Sequence, residues 1–183
     1  MKFRSLSTSD AEAISRWRYA DEWSAYDIPD ESMESSVKYM TDPGNRFFGA
    51  YEGEELVGFC SIGTDGQVPG GAYDGSATDV GFGVRPDLVG NHGGVMFLRS
   101  VIGFVGPEIG GGSLRVTIAS WNERALRAAR GAGFVPQAAF HRSDGKQFSV
   151  LVRAGGTARL TPPTSLRTTE AAAGHDDRSQ AQP

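Results

Sequence analysis

The sequence predicts one α/β domain on a mixed, mostly antiparallel sheet flanked by helices. Three observations carry that expectation. FFGAYEGEELVGFCSIG holds two β-rich runs around the acidic turn Glu52-Gly53-Glu54, and FVPQAAFHR and KQFSVLVR are joined by Ser-Asp-Gly, as antiparallel hairpins are. Between them, strand and helix patterns alternate from residue 77 to residue 134, which requires at least one parallel neighbour. The last thirty residues hold only Leu160 and Leu166 as large apolar groups, too few to offset the entropy of ordering them. The domain is therefore expected at 1–153, with a disordered tail at 154–183.

In chain order, FRSL is a short strand, and Ser9-Asp10 stands where a helix N-cap is expected, ahead of Ala13, Ile14 and Trp17 at helical spacing. A polar acidic stretch follows. ESMESSVKYM then places Met33, Val37 and Met40 on one helical face and stops at TDPGN. After the first hairpin and a Gly/Pro-rich loop, ATDVGFGVRP alternates Val80, Phe82 and Val84 with Gly81 and Gly83, and ends at Pro86, which cannot continue a ladder. GNHGG opens an apolar helix. SLRVTIAS is a β-branched strand, Asn122 caps a helix rich in Ala, Leu and Arg that stops at Gly131/Gly133, and a second hairpin closes the domain.

Composition excludes several classes. With 18 basic against 22 acidic side chains and a net charge of −4, the 183-residue chain lacks the basic face that nucleic-acid binding requires. A single cysteine, Cys60, forms no internal disulfide and suits a reducing compartment, so the cytoplasm is expected. No signal peptide or membrane span is expected. Three histidines without carboxylates at fixed spacing give no expectation of a metal centre.

The stretch GFGVRPDLVGNHGGVMFL carries the most chemistry. A strand stopped by Pro86 feeds a Gly-rich turn and a helix N-terminus, where successive N–H groups and the helix dipole favour an anion such as pyrophosphate. Neither a Walker loop nor the dinucleotide glycine fingerprint is matched. Together with NERALRAARGAGF, this segment resembles the two signature regions of the GNAT superfamily of acyl-CoA-dependent N-acyltransferases, and the element order agrees across about residues 2–153.

The resemblance implies splayed central strands and acetyl-CoA as co-substrate. It aligns Val89, Gly90, Asn91, His92, Gly93 and Gly94 with the pyrophosphate turn, Phe82, Gly83 and Val84 with the strand that binds the pantetheine arm, and Asn122 with a second contact to that arm. It places Asp79 where many members carry a general base. Two departures stand out: Val89 and His92 replace the family's opening Gln/Arg and a glycine, and Ala129 replaces a tyrosine that serves as acid to the leaving thiolate. The implied activity is acetyl transfer to a primary amine by direct attack in a ternary complex. A CoA-binding or ligand-sensing module that has lost catalysis is the alternative those departures favour.

Acceptor residues are read from the loops. Between Asp21 and Glu34 lie six acids and no Lys or Arg, interleaved with Trp23 and Tyr26, which suits a cationic amine, small or peptidic. Tyr26, Asp27, Glu31 and Tyr73 are the expected acceptor contacts. The sequence is compatible with a homodimer.

Overall fold

The computed structural model describes residues 1–90 and 93–156. The elements run β1 (Lys2–Ser5), α1 (Thr8–Ser15), α2 (Met33–Thr41), β2 (Phe47–Glu52), β3 (Glu55–Ile62), β4 (Thr78–Val84), α3 (Gly94–Glu108), β5 (Leu114–Ala119), α4 (Glu123–Gly131), β6 (Val135–His141) and β7 (Gln147–Arg153), with short 3₁₀ turns between some of them. The sheet has seven strands in the order β1-β2-β3-β4-β5-β7-β6. Every neighbouring pair is antiparallel except β4 with β5.

Local chemistry accounts for the element ends. The cap of α1 is Ser7, two residues earlier than the sequence suggested: Ser7 Oγ accepts from the Asp10 N–H while the Asp10 carboxylate accepts from the Ser7 N–H, a reciprocal capping box that Ser9 cannot complete. Asn122 caps α4 as expected, its Oδ1 accepting from the Ala125 N–H at 3.1 Å. Gly53 turns the first hairpin at φ +61°, a conformation open to glycine without strain.

Two apolar clusters cover the two faces of the sheet. The larger joins Leu98, Val101 and Val105 of α3 and Leu126 and Ala129 of α4 to Val80, Leu114, Val116 and Leu151. The smaller packs Ala11, Ile14 and Met40 of α1 and α2 with Phe47, Leu56 and Phe59. Cys60 is fully buried in the larger cluster, and burial pushes its thiol up to about 12. At the C-terminal end the Gly155 N–H still donates to Ser113 Oγ, so packing continues past Arg153. The rest of the expected tail, 157–183, lies outside the described residues.

The raised thiol predicts a pH effect with a definite sign. Its stability contribution is full below the ordinary thiol range and falls as pH rises from about 9 towards about 12, because the unfolded chain ionises first. Denaturant unfolding between pH 8.5 and 10.5 should show wild type losing up to about 1.4 kcal/mol per pH unit more than Cys60→Ala. Parallel pH profiles for the two proteins would remove Cys60 from the account.

Candidate active site

The central feature is a gap between parallel strands. Strands β4 and β5 are in register only at Thr78 with Leu114 and Asp79 with Arg115. Beyond that point β4 stays with β3 as far as Val84, while β5 stays with β7 as far as Ala119, so the sheet opens into a V.

Hydrogen-bond parity decides which backbone groups face the opening. The Gly63 N–H donates to the Asp79 carbonyl and the Arg85 N–H to the Val57 carbonyl, so the odd-numbered residues of β4 bond to β3. The peptide groups of Val80, Phe82 and Val84 therefore point towards β5; the Asp79–Arg115 register still engages the Val80 N–H, and beyond it the Val80 carbonyl and the Phe82 and Val84 groups have no ladder partner. An extended amide-bearing chain would meet these groups as an added strand does. The arrangement suits the expected roles of Phe82 and Val84 and not that of Gly83. Gly83 is paired with Phe59, and a Cβ on it would stand 2.4 Å from the Phe59 ring, so its smallness serves packing.

The turn leading into α3 forms the second part of the site. Val89 is tied back by its N–H to the Pro86 carbonyl, and Gly90 sits at φ +97°. Gly93 is the N-cap of α3, and among the described residues no side chain caps it, so the first-turn N–H groups have no intrahelical partner and none among the described side chains. A Cβ on Gly90 or Gly93 would meet nothing within 4 Å. A Cβ on Gly94 would lie 3.2 Å from the Ala128 Cβ of α4. Gly93 and Gly90 thus border the space open to an anion, whereas Gly94 lets two helices approach. Asn91 and His92 lie outside the described residues.

At the closed end of the V stands a buried ion pair. Arg115 Nε and Nη2 donate to Asp79 Oδ1 and Oδ2 at 2.6 and 2.9 Å, and both residues are 4 % exposed. Gln67 Nε2 also donates to Asp79 Oδ2, at 2.8 Å. The outer face of the guanidinium is held by Asp74, through its carboxylate and its carbonyl. These carboxylate bonds hold the Arg115 pKa above its usual value, with Asp79 the largest cause. The base role expected of Asp79 does not fit this geometry: its oxygens are engaged by fixed donors, and the group is shut away from any incoming amine. Tyr73 belongs to the same cluster. Its hydroxyl bonds the backbone of Val68 and Thr117 Oγ1, and its ring lies 5.1 Å from the Arg115 guanidinium, so it anchors the β3–β4 loop to β5. It also lines a hollow of about 300 Å³ with Gln67 and Gly70.

The segment between α1 and α2 bridges the two walls. Tyr19 Oη donates to the Val84 carbonyl at 2.9 Å, and burial raises its pKa. On the other wall the Tyr26 ring packs on Trp121 at 5.5 Å, and Asn122 Nδ2 donates to Tyr26 Oη at 3.2 Å. Asn122 therefore spends both ends of its amide within the protein, on the α4 cap and on Tyr26. The acidic stretch is less bare than its sequence suggests. Asp27 accepts from the Tyr19 N–H, Asp30 pairs with Arg18, and Arg124 lies 4.0 Å over the Trp23 ring. Asp21, Glu22, Glu31 and Glu34 stay exposed. Tyr19 and Arg115 escaped the sequence reading. A lone arginine between Leu114 and Val116 in a β-branched strand was the available signal for the second, since a buried guanidinium demands a carboxylate. Among the described residues no cluster of His, Cys, Asp or Glu could hold a metal ion, and no helix is long and apolar enough to cross a membrane.

The splayed strands, the uncapped helix start and the element order define an acyltransferase-type fold. The Acetyltransferase (GNAT) family matches residues 10–134, and the chain belongs to that family. Similar solved structures include AAC(6')-Ib in complex with ribostamycin and coenzyme A, 15 % identical over 83 % of this chain and 92 % of that one, TM-score 0.65. A spermidine N-acetyltransferase SpeG chimera from Vibrio cholerae and hSSAT is 14 % identical over 84 % and 96 %, TM-score 0.61. A GNAT-family acetyltransferase from Bacillus anthracis is 15 % identical over 83 % and 93 %, TM-score 0.64. No curated protein matches the chain in sequence.

Breaking the buried pair should act on folding first. Asp79→Asn leaves a buried guanidinium with only the solvent-exposed Asp74 as counter-charge, and the expected loss is about 3–5 kcal/mol by denaturant unfolding. A loss below about 1 kcal/mol would mean that Asp74 suffices to satisfy Arg115.

Proposed function

We propose that this chain transfers the acetyl group of acetyl-CoA to a primary amine by direct attack in a ternary complex. The observation that carries the proposal is the V itself, with the Val80 carbonyl, the Phe82 peptide groups and the Val84 N–H turned into it and a helix N-terminus without a described side-chain cap beyond its rim. The strand edge would hold the amide-bearing arm, and the N–H groups at Gly93 and Gly94 the pyrophosphate. Bound there, acetyl-CoA supplies an acyl group activated as a thioester.

The chain's own residues have separate tasks. Ala129, fully buried, offers no acid, and the phenol that meets the start of α4 is Tyr26. Because its oxygen accepts from Asn122, its own proton is left to donate, and a phenol keeps that proton at neutral pH. Tyr26 thus holds a proton at Oη for a leaving group. Asp79 positions the strands and takes no proton from the amine. With the carboxylate so engaged, the amine loses its proton to water. The rate should then rise with pH towards the amine's own pKa, with no plateau set by a side chain near neutrality. A pH profile of kcat/KM that levels off between pH 6 and 7.5 would point to a protein base.

Acceptor preference rests on the exposed acids of the bridging segment, Glu22 and Glu31 among them, which favour a cationic amine by about a kcal/mol per partly screened charge. The polyamine and aminoglycoside named for two of the similar structures are amines of this class.

Two measurements test the reading. Gly93→Val places a branched side chain in the open space of the turn, so acetyl-CoA affinity should fall at least tenfold, about 1.4 kcal/mol, while the melting temperature stays within a few degrees. Unchanged affinity in that variant would move the pyrophosphate elsewhere. Tyr26→Phe should keep acetyl-CoA affinity and lower turnover by roughly 10²-fold, the lower end of general-acid effects. If release of free thiol from acetyl-CoA stays at background across a panel of cationic amines while CoA still binds, the chain is a CoA-binding module on the same fold.

A further inference from the structure

Arginine placement singles out a second region. Arg4, Arg16, Arg18, Arg46, Arg85, Arg115, Arg127 and Arg142 each meet a carboxylate, and Arg124 lies over Trp23. The other three arginines among the described residues, Arg99, Arg130 and Arg153, meet none, and all three line one depression of about 710 Å³. Its wall is completed by Ile102, Val135 and Ala132 and by the glycines that end α4, with no Asp or Glu among the described residues that line it.

Helix capping explains only part of this convergence. Arg99 Nη2 donates to the Gly131 carbonyl at 3.1 Å, which satisfies a C-terminal acceptor of α4 and complements the negative end of its dipole. One guanidinium suffices for that. Arg153 lies beside Gly133, where a Cβ would stand 3.6 Å from its Nε, and Arg130 is exposed on the last turn of α4. Three like charges around one hollow repel one another unless an anion enters, in a chain whose net charge is negative and which supplies carboxylates to its arginines elsewhere.

We infer that the depression between α3, the C-terminal end of α4 and the β6–β7 edge binds a phosphate monoester through Arg99, Arg130 and Arg153. Guanidinium forks match phosphate oxygens in pairs, and the Ile102/Val135/Ala132 wall offers apolar surface to the body that carries the phosphate. The site is separate in its residues from the N–H turn at Gly93 and does not depend on the chemistry of the V. Two sources have this chemistry: the 3′-phosphate of a CoA molecule whose pyrophosphate lies at the start of α3, and a free phosphorylated metabolite.

Titration calorimetry on the full chain separates them. In one arm CoA is compared with 3′-dephospho-CoA, and in the other inorganic phosphate is titrated into protein saturated with 3′-dephospho-CoA. If the cofactor is the source, CoA binds at least tenfold more tightly than 3′-dephospho-CoA, and Arg130→Gln/Arg153→Gln abolishes the difference. If a free ester is the source, inorganic phosphate binds alongside 3′-dephospho-CoA, and the same double variant loses it. Equal binding of the two cofactor forms together with no phosphate binding overturns the inference, as does phosphate binding that survives in the double variant. Both wild-type comparisons stand without the variant, and failure of every CoA form to bind would count against the proposed cofactor turn while leaving the phosphate titration of free protein to judge this site.

Discussion

The Asp79–Arg115 pair is the constraint on which the site depends. It joins β4 to β5 at the last position where they share register, and both residues are nearly inaccessible. A buried ion pair adds little net stability over a well-packed apolar pair, but removal of one partner strands a charge, so the arrangement is unforgiving. That intolerance suits a structural task. The two strands cannot part earlier without exposing the pair. The apex of the V is thereby fixed in sequence, and so is the set of β4 peptide groups that face the opening.

The bridging segment between α1 and α2 imposes the second constraint. Tyr19 fastens it to the end of β4 through the Val84 carbonyl, and Tyr26 fastens it to Trp121 and Asn122 at the end of β5. One wall-to-wall connection thus holds the mouth of the V at a set width. It also edits the strand edge: with the Val84 carbonyl taken, an incoming amide chain finds its acceptors at Val80 and Phe82. Asp27 contributes indirectly by holding the Tyr19 N–H, which is why this acid reads better as part of the fastening than as a contact to the acceptor.

Much of this was legible in the sequence because it is local. The element order, the Asn122 cap, the hairpins and the burial of Cys60 follow from periodicity, turn residues and neighbouring polarity. The misreadings share a cause, contact across long sequence separation. Asp79 looks like a free strand-end carboxylate until Arg115, thirty-six positions on, is seen beside it. Tyr73 looks like a loop aromatic until Thr117 takes its hydroxyl. Gly83 looks like a place for a ligand and makes room for the Phe59 ring, and the missing Cβ of Gly94 makes room for Ala128 whatever its N–H meets. A glycine in a sequence announces a close approach without saying what approaches.

That last distinction links the two ends of α4. Gly94 against Ala128, and Gly131 against the Val95 side chain, bring α3 and α4 closer than larger residues would allow. The approach sets the uncapped start of α3 beside α4, which gives the N–H turn one protein wall and leaves Gly93 facing open space. It also delivers the C-terminal end of α4 to Arg99, one turn beyond Val95 on the same face of α3, and carries Arg130 with it. The negative end of one helix needs a cation, and the positive end of the other is left open to an anion. Small residues at the helix crossing therefore produce both the anion-accepting turn and the cluster of arginines behind it.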